Sequence, residues 1–380
     1  MAVGVIAEFN PFHNGHKYLL QTAKEQTNDT VCAIMSGAFV QRGGIALTDK
    51  LTRAGAAVLN GADLVIELPV TFSHNTAQKF ATGAVSILQS CGVFDSLAFG
   101  SECGSTDKLT SAADILLNEP PSVSDIIKSN MAKGISYPAA RELAYRGYID
   151  TSVLKTPNDI LALEYICAAK KLGFNINPIA IKRIGTDHDS TDVTDTVASA
   201  SEIRRRLHIG EDAGAYMPQS DFDIYNPALL DTAVISHLRL ISPNELSGIN
   251  EVGEGLENKF ISAAKTTDTV AELCMAVKSK RYTLSRIRRI AYSALLGITK
   301  DIASLSPTYI RVLAMNDNGK KLLREMKLKS KLPIVIKPAD YQGDAIFDIN
   351  SRAEDIFALC APSKEKRRGG SDLVMTPFVL

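Results

Sequence analysis

An α/β fold is predicted: a doubly wound parallel sheet with a helical insertion and a second, mainly helical C-terminal domain. Three observations predict it. Short apolar runs suited to buried strands alternate with helix-like periodicity through the first half of the 380 residues, a proline-punctuated helical stretch interrupts the alternation, and strand-like runs thin out after about residue 211. The length suits two domains, each with its own core, and the division expected is 1–210 and 211–380.

The elements follow in order. Val3–Glu8 carries Val3, Val5 and Ile6 for a buried strand, Asn10-Pro11 breaks it, and Tyr18, Leu19 and Leu20 give the apolar side of a helix opening at Gly15. Val31–Met35 is a second strand with a helix near Thr48–Asn60, Leu64–Leu68 a third with a helix near Ala77–Ser90, and Ser96–Phe99 a fourth. The insertion spans about Lys108 to Gly173, with Pro120, Pro121 and Pro138 as punctuation; within it Thr156 fits an N-cap with Pro157 at the first helical position. Pro178–Ile184 closes the sheet and Ser199–Leu207 is the last helix before Gly210. Beyond it, helical spacing marks Ala228–Leu240, Val270–Val277 and Ile287–Leu296, with β-like runs at Tyr309–Ala314 and Ile334–Ile336. No internal repeat or low-complexity tract is present.

Lysine plus arginine equals aspartate plus glutamate at 42 each, so any nucleic-acid contact must be local. Cys32, Cys91, Cys103, Cys167, Cys274 and Cys360 form no CxxC pair and mostly lie in apolar runs, as reduced core thiols do. With neither a charged-then-apolar leader nor a bilayer-length apolar stretch, the expectation is a cytoplasmic protein without membrane contact.

Ligands of a doubly wound sheet settle at the carboxyl ends of its strands. Glu8–His16, Ser36–Gly44, Phe99–Glu102 and Lys182–Gly185 all follow such ends. His13-Asn14-Gly15-His16 sets two imidazoles at a helix N-terminus, where unpaired N–H groups and the positive dipole end converge and Gly15 leaves room for close approach; a nucleoside triphosphate is the natural guest. The competing readings are ordinary loop histidines or metal ligands. No Cys/His/Asp cluster with ligand spacing lies nearby, so no metal is expected.

Other segments each carry two readings. In Met35–Gly44 the Arg42 fork, with Ser36 and Gln41 as neutral donors, suits a small carboxylate; a flexible, solvent-facing turn explains it equally. Gly100 is a turn or an adenosine seat, and Asn158 a capping-turn residue or a base or ribose contact. Ser199 and Glu202 fit a capping box, while the same helix end could receive β- and γ-phosphates with Arg204 as counter-charge. Lys278–Arg289 concentrates cations beside Tyr282, and Lys364, Lys366, Arg367 and Arg368 form a smaller cluster; each is a grip for RNA or a solvated surface.

The HxGH tetrapeptide, followed in chain order by a serine-rich segment ending in Ile203-Arg204, is similar to that of the adenylylating superfamily of class I aminoacyl-tRNA synthetases, pantothenate synthetase and the small adenylyltransferases. Over nearly the whole length, EFNPFHNGH, MSGAFVQRGG, NGADLVIELP, AFGSE, TPNDILALEY, KRIG, SASEIR and RYTLSRIRR together resemble the bacterial tRNA(Met) cytidine acetate ligase family. The resemblance implies an adenylyltransferase-like first domain and a second that helps hold tRNA. It implies activation of acetate with ATP as acetyl-adenylate, then transfer of acetyl to N4 of the wobble cytidine of elongator tRNA(Met), giving N4-acetylcytidine. Under it His13 and His16 stabilise charge on the phosphates. The ATP site comprises Ala7, Glu8, Phe9, Asn10, Pro11, Phe12, His13, Asn14, Gly15, His16, Lys17, Tyr18, Leu19 and Leu20, completed by Gly100, Asn158, Arg183, Ile184, Ser199 and Ser201. By their own composition, the loop residues Ser36, Gln41 and Arg42 are the candidates to hold acetate, and Arg281, Tyr282, Arg286 and Arg288 are candidate tRNA contacts. ATP is the co-substrate, with Mg2+ as an accompanying cation to be tested, and no obligate protein partner is implied. Thr186-Asp187-His188-Asp189 departs from the family pattern and receives no role. The rival readings are a small-molecule adenylyltransferase releasing pyrophosphate and a non-catalytic RNA-binding protein.

Overall fold

The computed structural model describes residues 2–184 and 196–380. Gly185 and the Thr186–Asp189 stretch lie outside the described residues. The central sheet has eight strands: β1 (Ala2–Ala7), β2 (Thr30–Ser36), β3 (Leu64–Leu68), β4 (Phe94–Ser101), β5 (Asn177–Lys182), β6 (Ile310–Met315), β7 (Ile334–Val335) and β8 (Phe378–Val379). Across the sheet the order is β8-β6-β3-β2-β1-β4-β5, with β7 sharing the outer edge of β6. β1 lies centrally, paired in parallel with β2 (Val5 opposite Ala33) and with β4 (Val5 opposite Ala98).

Side chains alternate across the sheet, and both faces are covered, which is why the strands read as near-continuous apolar runs. Val3 and Val5 face α1 (Asn14–Thr27) and α2 (Lys50–Leu59), sharing a core with Leu20, Ala54 and Val58. Ala2 and Ile6 face α3 (Ala77–Cys91) and α4 (Pro157–Lys171), with Leu88 and Ile166. Gly4 allows the close approach of α3, since a Cβ there would lie 2.8 Å from Leu88. Beyond the insertion helices come α5 (Ala200–His208), then a helical second core built on α6 (Leu284–Leu296), and α7 (Ala345–Ala358).

The chain does not divide at residue 210 as expected. β6 is buried throughout and pairs antiparallel with β3, Val65 opposite Ala314, so β6, β7 and β8 return to the first sheet while Ile349, Ala353 and Phe357 of α7 pack in the second core. Conversely Phe39, Val40 and Ile45 pack in the second core with Ile287, Ile290 and Ala291. The physical reason is that a fully buried strand must cover both faces and satisfy its backbone groups, and the open edge of β3 does so.

A buried ionic network fastens the two halves. Lys50 Nζ lies 2.9 Å from Glu67, 3.1 Å from Glu354 and 2.6 Å from Asp372, and Arg311 donates to Asp372 at 2.5 Å. All five side chains are at most 5% exposed. The six cysteines are thiols, five of them buried. Among the described residues no helix is long and apolar enough to cross a membrane.

Candidate active site

His13 is the N-cap of α1, in extended backbone, and its Nδ1 accepts from the Gly15 N–H at 3.1 Å. Reciprocally, His16 Nδ1 accepts from the His13 N–H at 3.3 Å, and the two rings stack with centroids 3.7 Å apart. A ring nitrogen that accepts a hydrogen bond carries no proton, so in each neutral imidazole the proton resides on Nε2. The capping box thereby sets both rings as Nε2–H donors. The expected open backbone N–H groups are largely taken, Gly15's by His13 Nδ1 and His16's by His13 O at 2.9 Å. The imidazoles therefore replace them as the donors of this helix end, with the dipole behind them. Gly15 protects the cap as well, since a Cβ there would lie 2.9 Å from His13 Cε1.

The loop ahead of the pair is held from three sides. Phe9, at a left-handed φ of +47°, packs with Phe12 against His16. Asn10 Oδ1 accepts from Leu47 N–H at 2.7 Å, and Asn10 O accepts from Arg204 at 2.6 Å. Buried Arg53 gathers the carbonyls at the ends of β1 and β2, donating to Glu8 and Ser36 at 2.9 Å and Gly37 at 2.6 Å. Sequence reasoning passed over Arg53; an arginine directly ahead of the small, apolar stretch AGAAVL was the available signal.

The strand-end segments meet around a cleft of about 390 Å³ lined by Ala7, Glu8, Asn10, His13, His16, Leu19, Gln41, Arg42, Gly100, Asn158, Arg183 and Ser199 among others. A recess of about 30 Å³ adjoins the same two histidines and takes in Gly15, Tyr18 and Ile184. Several expected residues lie elsewhere. Phe9, Phe12 and Leu20 belong to the core, and Pro11 is buried. Ser36 is fully buried with its carbonyl on Arg53 and does not line the cleft. Asn14 donates to the carbonyls of Thr196 and Ala215, pinning α1 to the chain before and after α5. The Lys17 N–H extends the first turn to His13 O, and Ser201 Oγ accepts from Arg204. Among the described residues no group of three or more His, Cys, Asp or Glu side chains is placed to hold a metal ion.

Two features of the cleft escaped sequence reasoning. One wall is apolar, made by Phe80, Phe99, Ile160, Leu161 and Tyr165 from α3, β4 and α4. Helical spacing alone reads such residues as core. The other is Glu102, whose carboxylate accepts from Asn158 Nδ2 at 2.5 Å and Asp159 N–H at 3.0 Å, with Arg183 Nε 4.0 Å away. The cap of α4 is thus supplied across space by Glu102, and the hydroxyl of Thr156 turns to Asp159 at 2.8 Å. At α5, Ser199 Oγ accepts from the Glu202 N–H at 3.1 Å, as a cap does. Hydrogen bonds from Arg205 and Arg206 hold the Glu202 carboxyl down to about 2.

The Ser36–Gly44 loop is structured. Phe39–Val40 pairs antiparallel with Gly44–Ile45, and the turn presents Gln41 and Arg42 to the cleft. Its far side rests on α6. Of the residues expected to meet RNA, Arg281 and Arg288 are exposed, while Arg286 stacks 4.9 Å over the Tyr282 ring and donates to Glu251 O at 2.8 Å. Glu254 accepts from Tyr282 OH at 2.7 Å and pairs with Arg281 at 2.9 Å. In the smaller C-terminal cluster Lys366 pairs with Asp223 and Arg367 donates to Ala361 O.

Between hairpin and helix lies His74, fully buried, its Nδ1 3.2 Å from Val40 O and its Nε2 3.3 Å from Arg289 O. Burial, with the Arg289 guanidinium nearby, holds this imidazole down to about 3. Between that value and the ordinary histidine range the unfolded chain binds a proton that the folded chain does not, so stability falls as pH drops through the window, by up to about 1.4 kcal/mol per unit. His74→Gln is expected to flatten the melting temperature between about pH 6.5 and 4 relative to the native chain; parallel curves for the two proteins would refute this.

Stacked imidazoles at a helix end after the first strand, facing a serine-capped helix across a strand-end cleft, define a nucleotidyltransferase of the HIGH class. The family model described as HIGH Nucleotidyl Transferase matches residues 1–372. Relatives include the tRNA(Met) cytidine acetate ligase of Thermoanaerobacter sp. (strain X514), 43% identical over 381 residues and covering 94% of each chain. That of Clostridium perfringens (strain ATCC 13124) is 36% identical over 99% of this chain and 98% of its own. The crystal structure of Thermotoga maritima TmcAL bound with alpha-thio ATP superposes with a TM-score of 0.89 at 32% identity, covering 100% of this chain and 99% of that one. The chain belongs to the tRNA(Met) cytidine acetate ligase family.

Proposed function

We propose that this chain activates acetate with ATP as acetyl-adenylate and transfers the acetyl group to N4 of the wobble cytidine of elongator tRNA(Met). The observation that carries this reading is the stacked pair His13 and His16, each with Nε2 as the donor nitrogen, in one cleft with Gln41 and Arg42. His13 and His16 donate to oxygens of the α-phosphate while an acetate oxygen attacks phosphorus in line and the bond to pyrophosphate breaks, so their preformed dipoles oppose the charge that builds. Arg42 and Gln41 hold the acetate, and Ser199 at the α5 N-terminus faces the outer phosphates. The apolar wall of Phe80, Leu161 and Tyr165 keeps water from the mixed anhydride. The everted cytidine then brings its N4 amine to the acyl carbon; the C–N bond forms, the C–O bond to phosphate breaks, AMP leaves and the N4 proton is released. Activity of this kind is assigned to the cytoplasm.

Mass analysis of tRNA incubated with the protein, ATP and labelled acetate is expected to find one acetyl group on the anticodon cytidine. With α-labelled ATP the label is expected in free AMP. Label retained on a small-molecule product would favour the plain adenylyltransferase, and RNA binding without ATP turnover would favour the non-catalytic reading.

The tRNA contact is assigned to Arg281, Tyr282, Arg286 and Arg288 on and before α6. Because Arg281 and Arg288 are exposed, replacing both with glutamine is expected to weaken tRNA binding and to lower the slope of log affinity against log salt by about 2, roughly one per phosphate contact. Filter binding across a salt series measures this; an unchanged slope would remove the pair from the interface.

A further inference from the structure

We propose that Arg289 is a positioning residue for the acetate side of the cleft: anchored by Glu251 in the second domain, its guanidinium fixes the Gln41–Arg42 turn over Glu8. The proposal rests on reading the cleft as a site of acetate activation. Arg289 directly follows residues assigned to RNA yet is turned inward, being 5% exposed. Its Nε and Nη2 bind the two carboxylate oxygens of Glu251 at 2.6 and 2.7 Å, and Nη1 donates to Gln41 O at 2.9 Å. On its other side Gln41 donates its N–H to Glu8 Oε1 at 2.7 Å. Both backbone polar groups of Gln41 are therefore fixed, one by Glu8 just beyond β1 and one by Arg289 of α6.

The anchor is itself over-determined. Glu251 holds a left-handed φ of +63°, a costly conformation for a residue with a side chain, while its carbonyl accepts from Arg286 and its carboxylate from Arg289. The hairpin meets the helix without a gap: at Gly43, φ +83°, a Cβ would lie 2.6 Å from Arg288 Cβ and 2.8 Å from Arg289 N. Only the planar fork of arginine reaches a carboxylate with two nitrogens and a carbonyl with a third; a lysine keeps the charge and loses that geometry. The helix whose outer side carries Arg288 thus completes, on its inner side, the wall that receives acetate.

Two variants test the idea through different contacts. Arg289→Lys removes the fork and keeps the charge, and Gly43→Ala wedges the turn off α6 and leaves every charge in place. Acetate-dependent exchange of pyrophosphate into ATP, run without tRNA, is expected to show kcat/KM for acetate lowered roughly 10- to 100-fold in both, as for a misplaced orienting group, with KM for ATP unchanged. Equal shifts in the KM of ATP and acetate, or a fall in melting temperature with exchange intact, would make Arg289 a merely structural residue and overturn the proposal. If one variant does not fold, the other and Glu251→Gln carry the same comparison. Absence of acetate-dependent exchange in the unaltered protein would instead refute the proposed function.

Discussion

Replacing His16 with alanine is expected to lower acetyl-adenylate formation by roughly 10²–10³-fold or more, about 2.7–4 kcal/mol of transition-state stabilisation for one donor lost. The ring has two jobs, separable by nitrogen. Nδ1 accepts from the His13 N–H and closes the capping box, whereas Nε2 is directed by that bond to serve as donor. Loss of half a cap costs about 0.5–2 kcal/mol, which a domain of ordinary stability tolerates. The protein should therefore remain folded while kcat falls together with kcat/KM, as for an interaction made in the transition state. Pyrophosphate exchange and a thermal melt on the same sample separate the two effects. Full acetyl transfer by the variant would remove His16 from the chemistry.

The largest effect on stability is expected from Lys50→Met. Lys50 is surrounded by Glu67, Glu354 and Asp372, and its removal leaves these three buried carboxylates with Arg311 as the cation against them. Stranding charge in this way costs about 3–5 kcal/mol. Burial already pushes the Glu354 carboxyl up to about 7, against the opposing pull of Lys50. Without the lysine the Glu354 carboxyl rises further above its unfolded value, so the folded chain binds more protons and loses stability as pH rises. The deficit against the native chain should be larger at pH 8 than at pH 5 in urea titrations. A deficit independent of pH would mean that loss of Lys50 leaves the protonation of the network unchanged.

Much of the site was legible because its signals are local. The strand, the break at Asn10-Pro11 and the two histidines three residues apart lie within fifteen consecutive positions, and helical spacing alone brings His13 and His16 to one end of α1. Gly100, Asn158, Arg183 and Ser199 were legible only as strand ends and caps, and the parallel order of β1, β4 and β5 brings them together. The burial of Ser36 was not legible, because a strand-end residue looks accessible until the chain that packs over it is known. Glu102 and Arg289 were missed for a shared reason. Each acts on a residue far along the chain, Glu102 on Asn158 and Arg289 on Gln41, and a charged residue in a charged segment carries no mark of its partner.

By itself the sequence determined the parallel sheet, the helices that cover it and the imidazole pair, all products of periodicity and neighbouring contacts. Only the tertiary structure decided that the strands at 310–315, 334–335 and 378–379 return to the first sheet and that the Gln41–Arg42 hairpin leans on α6. The physical reason is the same for both. An apolar edge strand and a buried charge each need a partner, and only the packed chain determines which distant residue satisfies it.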